Sequence, residues 1–164
     1  MAEPTDCIEK KVLLRTPRAR VWQAVSDAQQ FGAWFGVTFN GAFAAGRLLT
    51  GRITPTTVDA EVAASQAPYA GASFEVAVDR IEPMQRFSFR WHPFAVEPGV
   101  DYAKEPMTLV VFELADAPGG TMLTIRETGF DRIPLARRAR AFAANEQGWE
   151  GQARLIQKYL ARTP

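Results

Sequence analysis

His92 and Glu127 are the side chains whose type and setting point to chemistry near neutral pH. His92 follows Trp91 and precedes Pro93, where a strand pattern yields to a long loop. An imidazole changes charge near neutrality, so it could shuttle a proton from an acidic carbon, with Asp101, Tyr102 or Glu127 close by. The same position equally suits a His-Pro loop anchor. Glu127 shares strand parity with Leu123 and Ile125, which places a carboxyl group at the rim of an inward face. Buried there without a partner, it could donate a hydrogen bond to a ligand carbonyl or serve as a weak acid. Alternatively it is a strand-end carboxylate bonded to loop backbone or to Arg132. The lone histidine and the lone cysteine, Cys7, exclude a multi-histidine metal centre, a thiolate-ligated cluster and a cysteine zinc knot within one chain. No nucleophile elbow accompanies the histidine, so no serine triad is expected. The expectation is a protein with no metal and no cofactor.

Around these residues the chain reads as one domain over 1–164. Cys7–Arg15 alternates enough for a strand, with residues 1–5 frayed before it. Thr16-Pro17 offers a cap followed by proline at a first helical position. Val21, Trp22, Val25, Phe31, Trp34 and Phe35 then recur at helical spacing, split by Ser26-Asp27, which predicts two short helices over about 17–25 and 28–34. Glycines and a proline punctuate β-rich runs at 37–43, 47–54, 74–81, 87–91, 107–114 and 122–126, with Ala117–Gly120 as a hairpin turn. The segments 59–72 and 93–106 fit neither period and read as long loops, a common home of function. After Ile133-Pro134 a helix of about 26 residues runs to the end. Ala139, Phe142, Ala143, Glu146, Trp149, Ala153, Ile156 and Leu160 form its apolar stripe. Arg137, Arg138 and Arg140 sit beside the positive end of its dipole, so they need solvent or an acidic partner.

This order predicts an α+β fold: a curved seven-stranded antiparallel sheet with helices flanking it, and a cavity between the sheet and the long helix. Net charge +1 removes the electrostatic case for a nucleic-acid or anionic-membrane binder. No 18-residue apolar run occurs, and MAEPTDCIEKK lacks the features of a signal peptide, so a cytoplasmic location is expected.

Four stretches carry a family resemblance: TPRARVWQAVSDAQQFGAWFG, RIEPMQRFSFRW, FELADAPGGTMLTIRETGF and EQGWEGQARLIQKYL. Together they resemble the START-related helix-grip (SRPBCC) superfamily, in the branch similar to the activator of the heat-shock chaperone ATPase. WHPFAVEPGVDY and GFDRIP resemble bacterial members labelled polyketide cyclase-like. The resemblance implies a deep cavity used for lipids, hormones or polyketides, for cyclisation, or for assisting chaperones, so fold alone does not select a function. Some look-alikes carry a vanillate-demethylase reductase label. That label conflicts with this chain's single cysteine and its lack of a glycine-rich dinucleotide fingerprint.

The expected ligand is a small, largely apolar or aromatic molecule. Phe87, Phe89, Trp91, Phe112, Leu123, Ile125 and Trp149 would form the wall. Glu127 and His92 would orient the molecule, with Trp34 and the 93–106 loop at the mouth. Gly148, beside Trp149, would let the long helix approach the sheet or bend. Two other readings stand beside this one. A cyclase or lyase would use His92 or Glu127 to move protons on a polyketide-like substrate, and a chaperone-stimulating module would act through its surface. A homodimer through an exposed strand or the long helix is compatible with the sequence.

Overall fold

In the computed structural model, residues 7–93 and 101–162 are described; the start at 1–5, for which fraying is expected, and the middle of the 93–106 loop lie outside them. The chain begins with β1 (Cys7–Leu14), α1 (Arg18–Ser26), α2 (Ala28–Phe35), β2 (Val37–Phe39) and β3 (Leu48–Ile53). It continues through α3 (Ala60–Gln66), β4 (Ser73–Glu82), β5 (Arg86–Trp91), β6 (Thr108–Ala117), β7 (Gly120–Thr128) and α4 (Leu135–Arg162). The strands form one antiparallel sheet in the order β1-β7-β6-β5-β4-β3-β2, and α4 packs across the inner face against β1 and α2. This is the expected α+β helix-grip architecture.

Alternation on the sheet is clean enough to sort its faces. Val110, Phe112 and Leu114 of β6 and Leu123, Ile125 and Glu127 of β7 point inward and are buried. Outward, Arg126 links Glu9 at 2.6 Å and Glu113 at 2.8 Å, and Glu113 meets Arg86 at 2.7 Å. Arg126 therefore serves a surface ladder and faces away from Glu127, as its parity predicts.

The short helices follow from capping chemistry. Asp27 closes α2 by accepting from the Gln29 and Gln30 backbone N–H groups. At the other end Gly36 takes a left-handed φ of 95°, where glycine is favoured. Gly32 lets α2 press on β2, since a Cβ there would lie 2.1 Å from the Val37 carbonyl oxygen. The start of α1 differs from expectation: Pro17 is the cap position itself. Its carbonyl accepts from Arg20 and Val21, while the Thr16 carbonyl accepts from the Thr121 hydroxyl.

The 59–72 segment is not loop throughout: it holds α3 and a 3-10 turn over Ala67–Tyr69. Asp59 accepts from the Glu61 and Val62 N–H groups, and the alanine-rich stretch after it propagates a turn that was too short to show a period. None of the residues of α3 is fully buried. It is tethered by the Asp59–Lys158 ion pair and by Gln66, whose amide donates to the Phe35 carbonyl at 2.9 Å and accepts from Thr56 N–H at 2.9 Å.

In α4 the apolar stripe holds from Trp149 onward through Ala153, Ile156 and Leu160; of its expected members before that, Phe142 packs on the core, 5.2 Å from Phe130. Ala139, Ala143 and Glu146 are exposed, and the inward line runs Arg137, Ala141, Asn145, Trp149. Two of those residues are polar and turn inward because partners await them. Gly148 makes no close approach: a Cβ there would meet nothing within 4 Å.

Candidate functional site

Glu127 organises the inner face. Its side chain is fully buried and accepts four hydrogen bonds, two on each oxygen. Trp149 Nε1 and Asn145 Nδ2 each donate to Oε1 at 2.8 Å. Trp91 Nε1 donates to Oε2 at 2.7 Å, and the Thr108 hydroxyl does so at 2.5 Å. The topology delivers these donors without strain. Trp91 and Thr108 are cross-strand partners on β5 and β6, and Asn145 and Trp149 are one turn apart on α4. A carboxylate has about four lone-pair sites, and all are used. The group thus ties three strands to the long helix, in place of the expected contacts with loop backbone or Arg132, and no acceptor position is left over for a ligand.

The expected wall residues come together as a packed cluster. Trp34, Phe87, Phe112, Leu123 and Ile125 have no accessible surface, and Phe89 and Trp149 have 2%. Rings without accessible surface border no gap large enough for water. Phe31, which the wall assignment omits, is their hub, with centroids 4.7 Å from Trp34, 5.8 Å from Phe112 and 6.3 Å from Phe89. Trp34 lies away from any mouth and donates its indole N–H to the Ala24 carbonyl at 2.9 Å.

Half-buried rings gather instead at the far end of β5. Trp91 stacks on Trp149 at 5.5 Å and 29°, and Phe35 touches both at 6.0 and 5.9 Å. Phe74 completes the rim, 6.1 Å from Trp91. Phe35, Phe74 and Trp91 are each partly accessible. Phe74 and Gln152 escape a sequence reading: Phe74 only opens a β-rich run, and Gln152, although inside EQGWEGQARLIQKYL, lies off the apolar stripe. Gln152 donates to the Phe35 carbonyl at 3.2 Å.

His92 follows directly. Burial pushes its imidazole below the ordinary value, with Arg137 adding to the effect and Glu105 and Glu75 opposing it. Its Nδ1 is buried and has no partner among the described residues. The expected partners of His92 are placed otherwise: Glu127 is saturated, and Tyr102 lies under the Arg137 guanidinium, 4.8 Å from its centroid. Arg137 is 7% exposed and not on a solvated face. It donates to both Glu105 oxygens, the shortest bond 2.7 Å, and to the Pro93 carbonyl at 3.1 Å. The acidic partner that the helix dipole called for is therefore intramolecular, and it pins the described ends of the 93–106 loop to α4.

A separate volume of about 840 Å³ opens between the α1–α2 junction, β2 and the residues after β3. Phe39 and Phe43 form its apolar wall, Asp27, Gln29, Thr38 and Thr57 its polar one. Phe43 packs on Phe87 at 4.7 Å. Phe87 is four residues from Trp91, so this groove lies roughly 13 Å along the strand from the aromatic rim. None of the ten expected site residues lines it. Among the described residues no three His, Cys, Asp or Glu side chains are grouped to hold a metal ion, and no helix is long and apolar enough to cross a membrane.

Comparison with solved structures shows the same fold. A Mesorhizobium loti protein, MLL2253, superposes with a TM-score of 0.70 at 19% identity, over 96% of this chain and 98% of the other. An Arthrobacter aurescens protein gives 0.73 at 18%, over 98% and 90%. DynU16, from the dynemicin biosynthetic locus, gives 0.67 at 23%, and the match covers 96% of this chain but only 48% of DynU16. A comparison with curated sequences returns no match. The model of the Activator of Hsp90 ATPase homolog 1-like protein family matches residues 15–161. That match takes in nearly all the strands and helices described above, and the chain belongs to this family, a branch of the START-related helix-grip (SRPBCC) superfamily.

Proposed function

We propose that this protein binds a small, largely apolar or aromatic molecule at the rim formed by Phe35, Phe74 and Trp91. The observation that carries the reading is the exposure pattern. Every ring deeper in the fold is sealed, whereas these three stay partly accessible around the stacked Trp91–Trp149 pair. Accessible aromatic surface is where burial of a ligand gains most, roughly 25 cal/mol per Å² before association costs. Superfamily membership supports it, since helix-grip relatives typically take hydrophobic ligands. Trp149 and Glu127 act here as the fixed floor, and His92 as a polar edge.

An acid–base role on a polyketide-like substrate falls to His92 in this arrangement, because Glu127 has no free oxygen. Chaperone stimulation, which the family name suggests, would use surface other than Arg137, whose charge is spent on Glu105. Native mass spectrometry of the purified protein, together with tryptophan fluorescence titrated against aromatic and acyl compounds, tests the binding reading. A co-purifying molecule, or saturable quenching lost in a folded Trp91→Ala variant, is expected. No adduct and no quenching across the panel would overturn it.

A further inference from the structure

Two buried polar atoms among the described residues lack a hydrogen-bond partner, His92 Nδ1 and Gln152 Oε1. His92 adjoins Trp91 in sequence, Gln152 lies one helical turn beyond Trp149, and the two tryptophans are stacked. Everywhere else around this stack polar groups are fully used, with four donors on Glu127 alone.

The Gln152 amide has a determined orientation. Its Nε2 donates to the Phe35 carbonyl, and a flipped amide would set two acceptors face to face. The bare atom is therefore an acceptor, held beside Phe35 and Trp149. A buried acceptor without a donor is costly to leave unmade, so such sites are normally filled by protein, water or ligand. The donor must come from outside the described side chains. A ligand carboxylate, ketone or ether would bring a second acceptor to an acceptor. An ammonium would be desolvated beside a carboxylate that has no free oxygen. A neutral hydroxyl satisfies both constraints.

We propose that the rim selects a flat aromatic molecule carrying a hydroxyl group, its ring lying on Phe35 and Trp91 and its hydroxyl donating to Gln152 Oε1. This rests on the reading of the rim as a ligand seat. Gln66, at the end of α3, donates to the same Phe35 carbonyl as Gln152, so the end of α3 covers the amide. Admitting the hydroxyl requires the end of α3 to give way, and none of the residues of that helix is fully buried.

The test is calorimetric titration of the full chain with 2-naphthol and with 2-methoxynaphthalene, which differ by the donor hydrogen. Wild type should prefer 2-naphthol by about fivefold to tenfold, the worth of one neutral hydrogen bond. Gln152→Met should bring the two ligands within about twofold of each other, because methionine keeps the side-chain volume and loses the acceptor that separates them. The Phe35 carbonyl keeps its Gln66 donor in that variant. Gln152→Leu is the second variant, with the same expectation. Equal affinities in wild type, or a preference that survives both substitutions, would overturn the proposal and leave the ligand seat standing. If neither compound binds folded wild type, both the proposal and the ligand seat are overturned.

Discussion

Glu127 and Gln152 lie near the same pair of tryptophans and present opposite polar economies. The carboxylate of Glu127 receives a donor at every lone-pair site, from β5, β6 and α4. The carbonyl of Gln152 is equally hidden and receives none. A saturated buried group holds a fold in one arrangement, because any outside partner would have to displace one already present. An unsatisfied one can accept from a donor of the right kind without displacing a partner. Of the two sides of the stack, the first is therefore architecture and the second is where the proposed recognition would fall. The carboxylate that looked most like a reactive group in the sequence is the one the fold consumes.

Substitutions should separate the two sides. The largest effect is expected from Arg137→Ala, which strands the nearly buried Glu105 carboxylate. About 3–5 kcal/mol of stability should be lost, read by urea unfolding. Glu127→Gln keeps the shape but turns an N–H₂ group toward two donors. A loss of about 2–4 kcal/mol is expected, with the near-ultraviolet circular dichroism of the tryptophan pair altered. A fully stable Glu127→Gln protein would remove the architectural role. Gln152→Met, by contrast, should change stability by less than about 1 kcal/mol in either direction, since it removes a group already lacking one partner.

A smaller effect depends on pH. The folded state depresses the His92 value below its ordinary 6.5, so the unfolded chain takes up that proton first as pH falls. The His92 contribution is complete above about 6.5 and declines below it. Wild type should lose more stability than His92→Gln between about pH 7.5 and pH 5.5, and parallel losses would show that the imidazole is indifferent to folding. The smallest change is a gain. Gly148→Ala fills empty space in the helix interior, where glycine costs roughly 0.5–1 kcal/mol relative to alanine, and should raise the unfolding midpoint slightly. A loss would mean that the helix must bend there.

The legibility of each region follows from what determines it. Strand alternation in β5 to β7 and the apolar half of α4 are set by burial of hydrophobic side chains, and the periods announce them. The first half of α4 is set by specific polar contacts. Arg137 and Asn145 turn inward because Glu105 and Glu127 wait there, residues 32 and 18 positions away in sequence. No local pattern encodes such a pairing. The short helix α3 was hidden for a different reason: seven residues with none fully buried have no stripe, and only the Asp59 cap marks it. Parity placed Phe87, Phe89, Trp91 and Glu127 on one face correctly, but parity is silent on whether a face is packed or open. That depends on Phe31 and Phe35, which arrive from another element to fill most of the space.

The central claim, a ligand seat at Trp91 and Trp149, is tested most directly by the indole N–H signals of the four tryptophans in a heteronuclear NMR titration with 2-naphthol. The account predicts saturable shifts of the Trp91 and Trp149 signals, with those of Trp22 and Trp34 unmoved. Shifts confined instead to backbone amides of Val37–Phe43, beside the 840 Å³ groove, would move the seat to the other end of the sheet and contradict it.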